Sequence, residues 1–205
     1  MGEPKQERAV RTREVVLHAA AEVFDECGYS GASISKIMKR AGVTQGGMYF
    51  HFDSKLKLAQ AVMADQQTFV TLPATEGLQG LVDVTFHLSR ELQNNPVFRA
   101  SVRLAVEQGE FGSRDDRPYQ EWAEQFRRQL DGAHARGELL PDTDTAEFAR
   151  VLVGAYSGTQ LFSQMATNRA DLPEQVATLW RYLLPAVATP QAIATLRLDP
   201  QKPTV

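Results

Sequence analysis

Apolar residues recur along this chain at intervals of three and four, and a two-residue alternation is convincing nowhere, so the pattern predicts an all-α fold. Val16, Ala19, Ala20, Val23 and Phe24 share one face of a first helix, from about Glu7 to Glu26, which Cys27 and Gly28 close. Ile34, Ile37, Met38 and Ala41 fall at i, i+3, i+4 and i+7 of a short second helix, with Ser33 placed to cap it and Gly42 to stop it. Thr44 can cap a third helix over Gln45 to His51, and Ser54 a fourth that reaches about Leu72. Pro73 interrupts the pattern. Further helices are predicted from about Glu76 to Asn94, Val97 to Glu107, Pro118 to Arg136, Thr145 to Ala166, Pro173 to Val187 and, weakly, Gln191 to Leu198. Residues 1–6 read as disordered and Gly109 to Arg117 as a loop.

The second and third helices, joined by a tight turn with Val43 as a plug, make a helix-turn-helix, a motif whose second helix enters the major groove of DNA. Side chains able to reach phosphate oxygens are Ser33, Tyr49, His51 and Lys55. For Tyr49 and His51 a packed aromatic role competes, although Phe50 and Phe52 are expected to supply the inward face. Base readers should lie at the exposed start of the third helix, at Thr44, Gln45, Gly46 and Gly47. A threonine methyl can meet thymine, a glutamine can pair bidentately with adenine, and glycines allow close backbone approach. Arg8, Arg11 and Arg13 fit either an arm to the DNA or a solvated helix start.

Charge sharpens this picture. The net charge is −3, yet residues 1–60 carry nine Lys/Arg against seven acids, while the remainder carries 13 against 18. A weakly positive head on an acidic body directs phosphate contact to one end. With one cysteine, Cys27, no internal disulfide is possible, which fits a cytoplasmic protein. Four scattered histidines give no metal-ligand spacing, and no cofactor motif is present. No apolar run approaches the ~18–20 residues of a membrane span, and the charged N-terminus is not a secretory signal.

AGVTQGGMYFHFDSK, from Ala41 to Lys55, resembles the TetR (tetracycline-repressor) family signature AGV-[ST]-x-G-x-x-Y-x-[HY]-F-x-[SN]-K. The resemblance implies a three-helix DNA-binding domain over 1–55 and a helical effector-binding and dimerisation domain over 56–205. It also implies phosphate contacts by Tyr49 and Lys55, and a homodimer that meets a palindromic double-stranded operator. VFRASVRLAVE (97–107), PYQEWAEQF (118–126), LVGAYSGTQ (152–160) and YFHF are similar to γ-butyrolactone autoregulator receptors within that family. Many such receptors have lysine where this chain has Gln45 and alanine where it has Gly47, which leaves the base preference at Gln45 open.

The body is rich in aromatic residues, among them Phe86, Phe98, Trp122, Phe126, Tyr156 and Phe162, and few buried charges are expected there. That composition suits a neutral, lipophilic effector held by one or two hydrogen bonds. Gln66 and Thr159 are candidate hydrogen-bond partners beside Phe86, Phe126 and Tyr156, and the receptor resemblance makes Trp122 a pocket wall. For Trp122 a plain core position is the alternative. The apolar stripes Leu152, Ala155, Tyr156, Thr159, Phe162 and Val176, Leu179, Trp180, Leu183 read as core, and the family likeness gives part of them to a dimer interface. The expected function is a ligand-released transcriptional repressor, with a drug- or antibiotic-sensing repressor of the same fold as the alternative. An enzyme is not expected: no G-x-S-x-G is present, and Gly46-Gly47 lacks the lysine and spacing of a phosphate loop.

Overall fold

A computed structural model describes residues 5–64 and 75–199. Their helices are α1 (Lys5–Gly31), α2 (Ile34–Ala41), α3 (Gln45–His51), α4 (Lys55–Ala64), α5 (Gly77–Asn94), α6 (Pro96–Val106), α7 (Arg117–Ala135), α8 (Thr145–Thr167), α9 (Leu172–Val187) and α10 (Pro190–Thr195), with a 3₁₀ turn over Glu107–Phe111. Among the described residues the only strand-like pairing is an isolated antiparallel bridge between Leu139 and Ala188.

The predicted boundaries hold to within a few residues because the stop and start signals are chemical. Asn95 Oδ1 accepts from the amides of Val97 and Phe98 at 3.1 Å and starts α6. Asp144 Oδ1 does the same for Ala146 and Glu147 at 2.9 Å ahead of α8. Two expectations change. The stretch read as a loop from Gly109 begins inside the 3₁₀ turn, and the first helix starts at Lys5 and runs, across a kink at Gly28, to Gly31. The predicted extension of the fourth helix to Leu72 lies outside the described residues.

The chain forms two compact units. In the first, made of the described residues of 1–70 and 95–118, α1 is the central rod, and α2, α4, α6 and the 3₁₀ turn pack on it. Val16, Ala20, Phe24, Ile37, Met48, Leu58, Val62 and Leu104 are wholly buried there. In the second, α9 packs on α5 and α8, and Trp180 is the largest wholly buried side chain. Its indole N–H donates to Thr85 Oγ1 at 2.8 Å, so the one polar atom of that ring is satisfied inside an apolar core.

Candidate DNA-reading head and effector body

Each turn of the helix-turn-helix is fixed by a residue suited to it. Ser33 Oγ accepts from Lys36 N at 3.2 Å, and Thr44 Oγ1 from Gly47 N at 3.3 Å, each cap worth about 1 kcal/mol. Gly42 ends α2 at φ 65°, a left-handed conformation that a side chain would strain. Met48 and Phe52 bury the inner face of α3, and the Arg13 guanidinium lies 5.4 Å from the Phe52 ring centre.

The outer face of α3 carries Gln45, Gly46, Tyr49 and Phe50, with Thr44 exposed at its cap and Gly47 and His51 half-buried along one edge. A Cβ built on Gly46 meets nothing within 4 Å. Tyr49 is 44% exposed, which fits the outward role. Phe50 departs from the expected inward position: it is 78% exposed and lies edge-on to His51, 4.9 Å between ring centres. Two residues from Met48, it stands on the far side of a seven-residue helix whose core contact is already made by Met48 and Phe52.

Lys55 also departs from its expected role. Its ammonium turns inward, donating to the carbonyls of Tyr29 at 2.9 Å and Ala32 at 3.0 Å. It thereby ties the start of α4 to the chain that closes α1, where Tyr29 O also accepts from Ala32 N at 3.3 Å. Arg40 is likewise occupied, by Glu22 at 3.1 Å and Glu26 at 2.9 Å. Part of the positive charge counted in the head therefore holds α2 and α4 to α1.

The end of α1 is also gripped from α6 and the 3₁₀ turn. Arg103 donates from Nε to Glu107 Oε1 at 2.6 Å and from Nη1 to the Asp25 carbonyl at 2.8 Å, while Glu107 Oε2 accepts from Tyr29 N at 2.9 Å. Arg99 chelates the Asp25 carboxylate, with contacts of 2.8–3.1 Å. The half-burial of these pairs gives them more weight than exposed ion pairs carry.

In the second unit, Phe86, Trp122, Phe126 and Tyr156 are all buried, and Trp122 and Phe126 on α7 lie 6.0 Å apart. Thr159 is half-buried and its hydroxyl donates back to the Ala155 carbonyl at 2.8 Å, within its own helix. Gln66 lies outside the described residues. The expectation of few buried charges has an exception in Arg169, 6% exposed in the turn after α8, whose Nη2 donates to Gln164 Oε1 at 2.7 Å. Leu152, Tyr156, Val176 and Trp180 belong to the unit's own core, whereas Val151, Phe162, Met165 and Tyr182 are exposed. A surface groove of about 510 Å³ runs along Leu140, Pro141, Asp142, Asp144, Glu147 and Val187. It contains none of the expected effector residues, and its three carboxylates suit no neutral lipophilic molecule.

Burial raises the Tyr156 phenol well above the ordinary tyrosine range, against a smaller opposing effect of the Arg169 cation. The hydroxyl is a neutral donor at any pH of interest. Two residues outside the expected site set now stand out, Phe50 on the outer face of α3 and Gln160 on the inner face of α8. Spacing alone does not single out the second: Thr159 at i+3 and Gln160 at i+4 from Tyr156 share its helical side, and only Gln160 is fully buried.

A capped helix-turn-helix braced on a helical rod, followed by a wholly helical body, defines a one-component DNA-binding regulator. A profile of the bacterial regulatory proteins of the tetR family matches residues 16–62, and one of the tetracyclin repressor-like C-terminal domain matches 75–189. The chain belongs to the TetR family. The A-factor receptor protein of Streptomyces griseus is 42% identical over 195 residues, covering 94% of this chain and 70% of that protein. Full-length TylP, a TetR regulator from Streptomyces fradiae, is 41% identical and superposes with a TM-score of 0.84 over 96% of this chain and 95% of that one. A γ-butyrolactone receptor, an ArpA-like protein, is 29% identical with a TM-score of 0.69 over 91% and 92% of the two chains. The chain is thus a ligand-responsive DNA-binding repressor, and among its described residues no helix is long and apolar enough to cross a membrane.

Proposed function

We propose that this protein is a cytoplasmic, non-enzymatic repressor that binds a palindromic operator as a homodimer and leaves it when a γ-butyrolactone-type signal enters the body. The observation that carries the reading is the 42% identity to a protein named as the A-factor receptor, extending through the body as well as the head. Likeness to a γ-butyrolactone receptor over nine-tenths of both chains supports the same ligand class.

In this reading 1–55 reads DNA and 56–205 binds effector and dimerises. Thr44, Gln45, Gly46, Gly47 and Phe50 face base edges, and Ser33, Tyr49 and His51 face phosphates. Lys55, tied to α1, contributes positive potential near the backbone rather than a free hook. The effector is enclosed by Phe86, Trp122, Phe126 and Tyr156, with Thr159 and Gln66 as further candidates.

A dimer supplies the second head that one short recognition helix requires for useful specificity. Val151, Ala155, Gly158, Phe162 and Met165 recur along α8 at spacings of four, three, four and three, an apolar seam of coiled-coil type. With the exposed Tyr182 of α9 it is the proposed self-association surface.

Release needs a path from body to head. Helix α5 is followed, after Asn95 alone, by α6, whose Arg99 and Arg103 grip the end of α1. A ligand that favours a different placement of α5 would act through α6 on α1 and on the spacing of the two heads. Coupling of about 1–3 kcal/mol corresponds to 5–150-fold per ligand, and two ligands per dimer multiply it.

In vitro selection from random duplex DNA, with and without a γ-butyrolactone mixture, tests the proposal. A palindrome whose enrichment the lactones abolish supports it. A palindrome indifferent to lactones moves the effector to the drug class, and no enrichment overturns the DNA-reading role.

A further inference from the structure

Buried polar atoms in folded proteins almost always have a partner, so each one without a partner calls for a cause. On the inner face of α8, Tyr156 is 8% exposed and Gln160 2% exposed. Yet the Tyr156 hydroxyl and Gln160 Oε1 make no hydrogen bond to the protein. The two residues are one helical turn apart on the same face, about 5–6 Å between their Cβ atoms. Several other polar side chains of this core are satisfied: Trp180 by Thr85, Thr85 by the Val82 carbonyl at 2.7 Å, and Ser163 by Asp171 at 2.5 Å. His87 Nε2 on α5 also lacks a hydrogen bond but lies 3.8 Å from the Glu91 carboxylate, whereas Tyr156 and Gln160 set one neutral donor beside one neutral acceptor.

We propose that Tyr156 and Gln160 are a paired anchor for the effector. Tyr156 donates to a carbonyl oxygen, and Gln160 Oε1 accepts from a hydroxyl carried a few ångströms away on the same molecule. The effector class is then a lipophile with a carbonyl and a neighbouring hydroxyl at its polar end, rather than a hydrocarbon or an amine. Two uncharged partners recognise such a group, and leaving them bare costs the ligand-free protein stability that binding restores. This inference rests on the lactone reading above and makes it specific.

The experiment uses the full-length protein, with Tyr156→Phe and Gln160→Leu as variants. Three γ-butyrolactones serve as probes, with a hydroxyalkyl, a ketoalkyl or a plain alkyl side chain. Affinity is read by calorimetry, ligand-free stability by thermal unfolding, and operator binding by fluorescence anisotropy. Wild type should prefer the hydroxyalkyl lactone about tenfold over the alkyl one, and Gln160→Leu should erase that preference. Tyr156→Phe should weaken all three about tenfold. Both variants should bind operator as wild type does and unfold at the same or a higher temperature without ligand, because each removes an unsatisfied atom. A lower unfolding temperature with unchanged lactone affinities would show that the pair holds an internal water instead, and overturns the proposal. Wild type binding lactones with no loss in either variant overturns it alone. Wild type binding none of the three overturns the lactone reading, and this proposal with it.

Discussion

The Lys55 ammonium lies 4.2 Å from the centre of the Tyr29 ring while donating to the Tyr29 carbonyl at 2.9 Å, so one side chain holds both ends of the residue that follows the kink in α1. Glu107 takes the Tyr29 amide, and the Phe111 ring lies 4.3 Å from that of Tyr29. Lys55→Met should therefore act on the fold: a loss of about 1–3 kcal/mol in unfolding free energy from the two lost charge-assisted hydrogen bonds. A phosphate contact has a different signature, since its removal lowers the slope of log affinity against log salt by about one. The slope for folded Lys55→Met should match wild type.

Gly28 is the complementary test of the same node. Its φ is 68°, and a Cβ there would lie 2.6 Å from Arg103 Nη2. Gly28→Ala should destabilise the protein by about 1–3 kcal/mol, from left-handed strain and displacement of Arg103. A urea titration that finds less than about 0.5 kcal/mol would contradict the part given to this junction.

How much could be read in the chain depended on whether a signal was local. Ser33, Gly42 and Thr44 announce the helix-turn-helix because capping and left-handed turns are properties of adjacent residues. The orientations of Phe50 and Lys55 differ from the local pattern because their surroundings come from elsewhere. Which side of a seven-residue helix faces inward was decided by Met48 and Phe52 against α1, and the acceptors of Lys55 lie more than twenty residues away. In the body, helix periodicity located α8 and its buried Tyr156. Whether Thr159 or Gln160 had a free polar atom depended on a bond back to Ala155 that pattern alone does not show.

Phe50 should read thymine. An exposed aromatic side chain on the outer face of a recognition helix can pack against a thymine C5-methyl group, and good base contacts are worth about 1–3 kcal/mol. Phe50→Ala should leave the unfolding temperature unchanged and weaken operator binding. Replacing operator thymines by uracil should reproduce that loss in wild type and add little in the variant. Equal sensitivity of both proteins to uracil would assign Phe50 to another role.

Acid should loosen the turn from α8 into α9. Ser163, Thr167 and Gln175 donate to the Asp171 carboxylate at 2.5, 2.6 and 3.0 Å, which lowers its pKa from the ordinary 3.8 to about 2. A carboxylate with a depressed folded pKa stabilises the fold above its unfolded pKa, and that stability is lost as pH falls through the folded value. Unfolding free energy should therefore drop between about pH 4 and pH 2. Asp171→Asn should be less stable at neutral pH and show a shallower fall over that window.

The central claim is that two heads on one dimer hold a palindrome and that an effector in the body releases it. Fluorescence anisotropy with a selected palindrome and with its isolated half-site, each titrated with and without γ-butyrolactones, measures both parts together. The account predicts binding to the palindrome at least about a hundredfold tighter than to the half-site, and release by lactone. Equal affinity for the two duplexes would contradict the dimeric reading, and a palindrome complex that no lactone disturbs would contradict the effector assigned to the body.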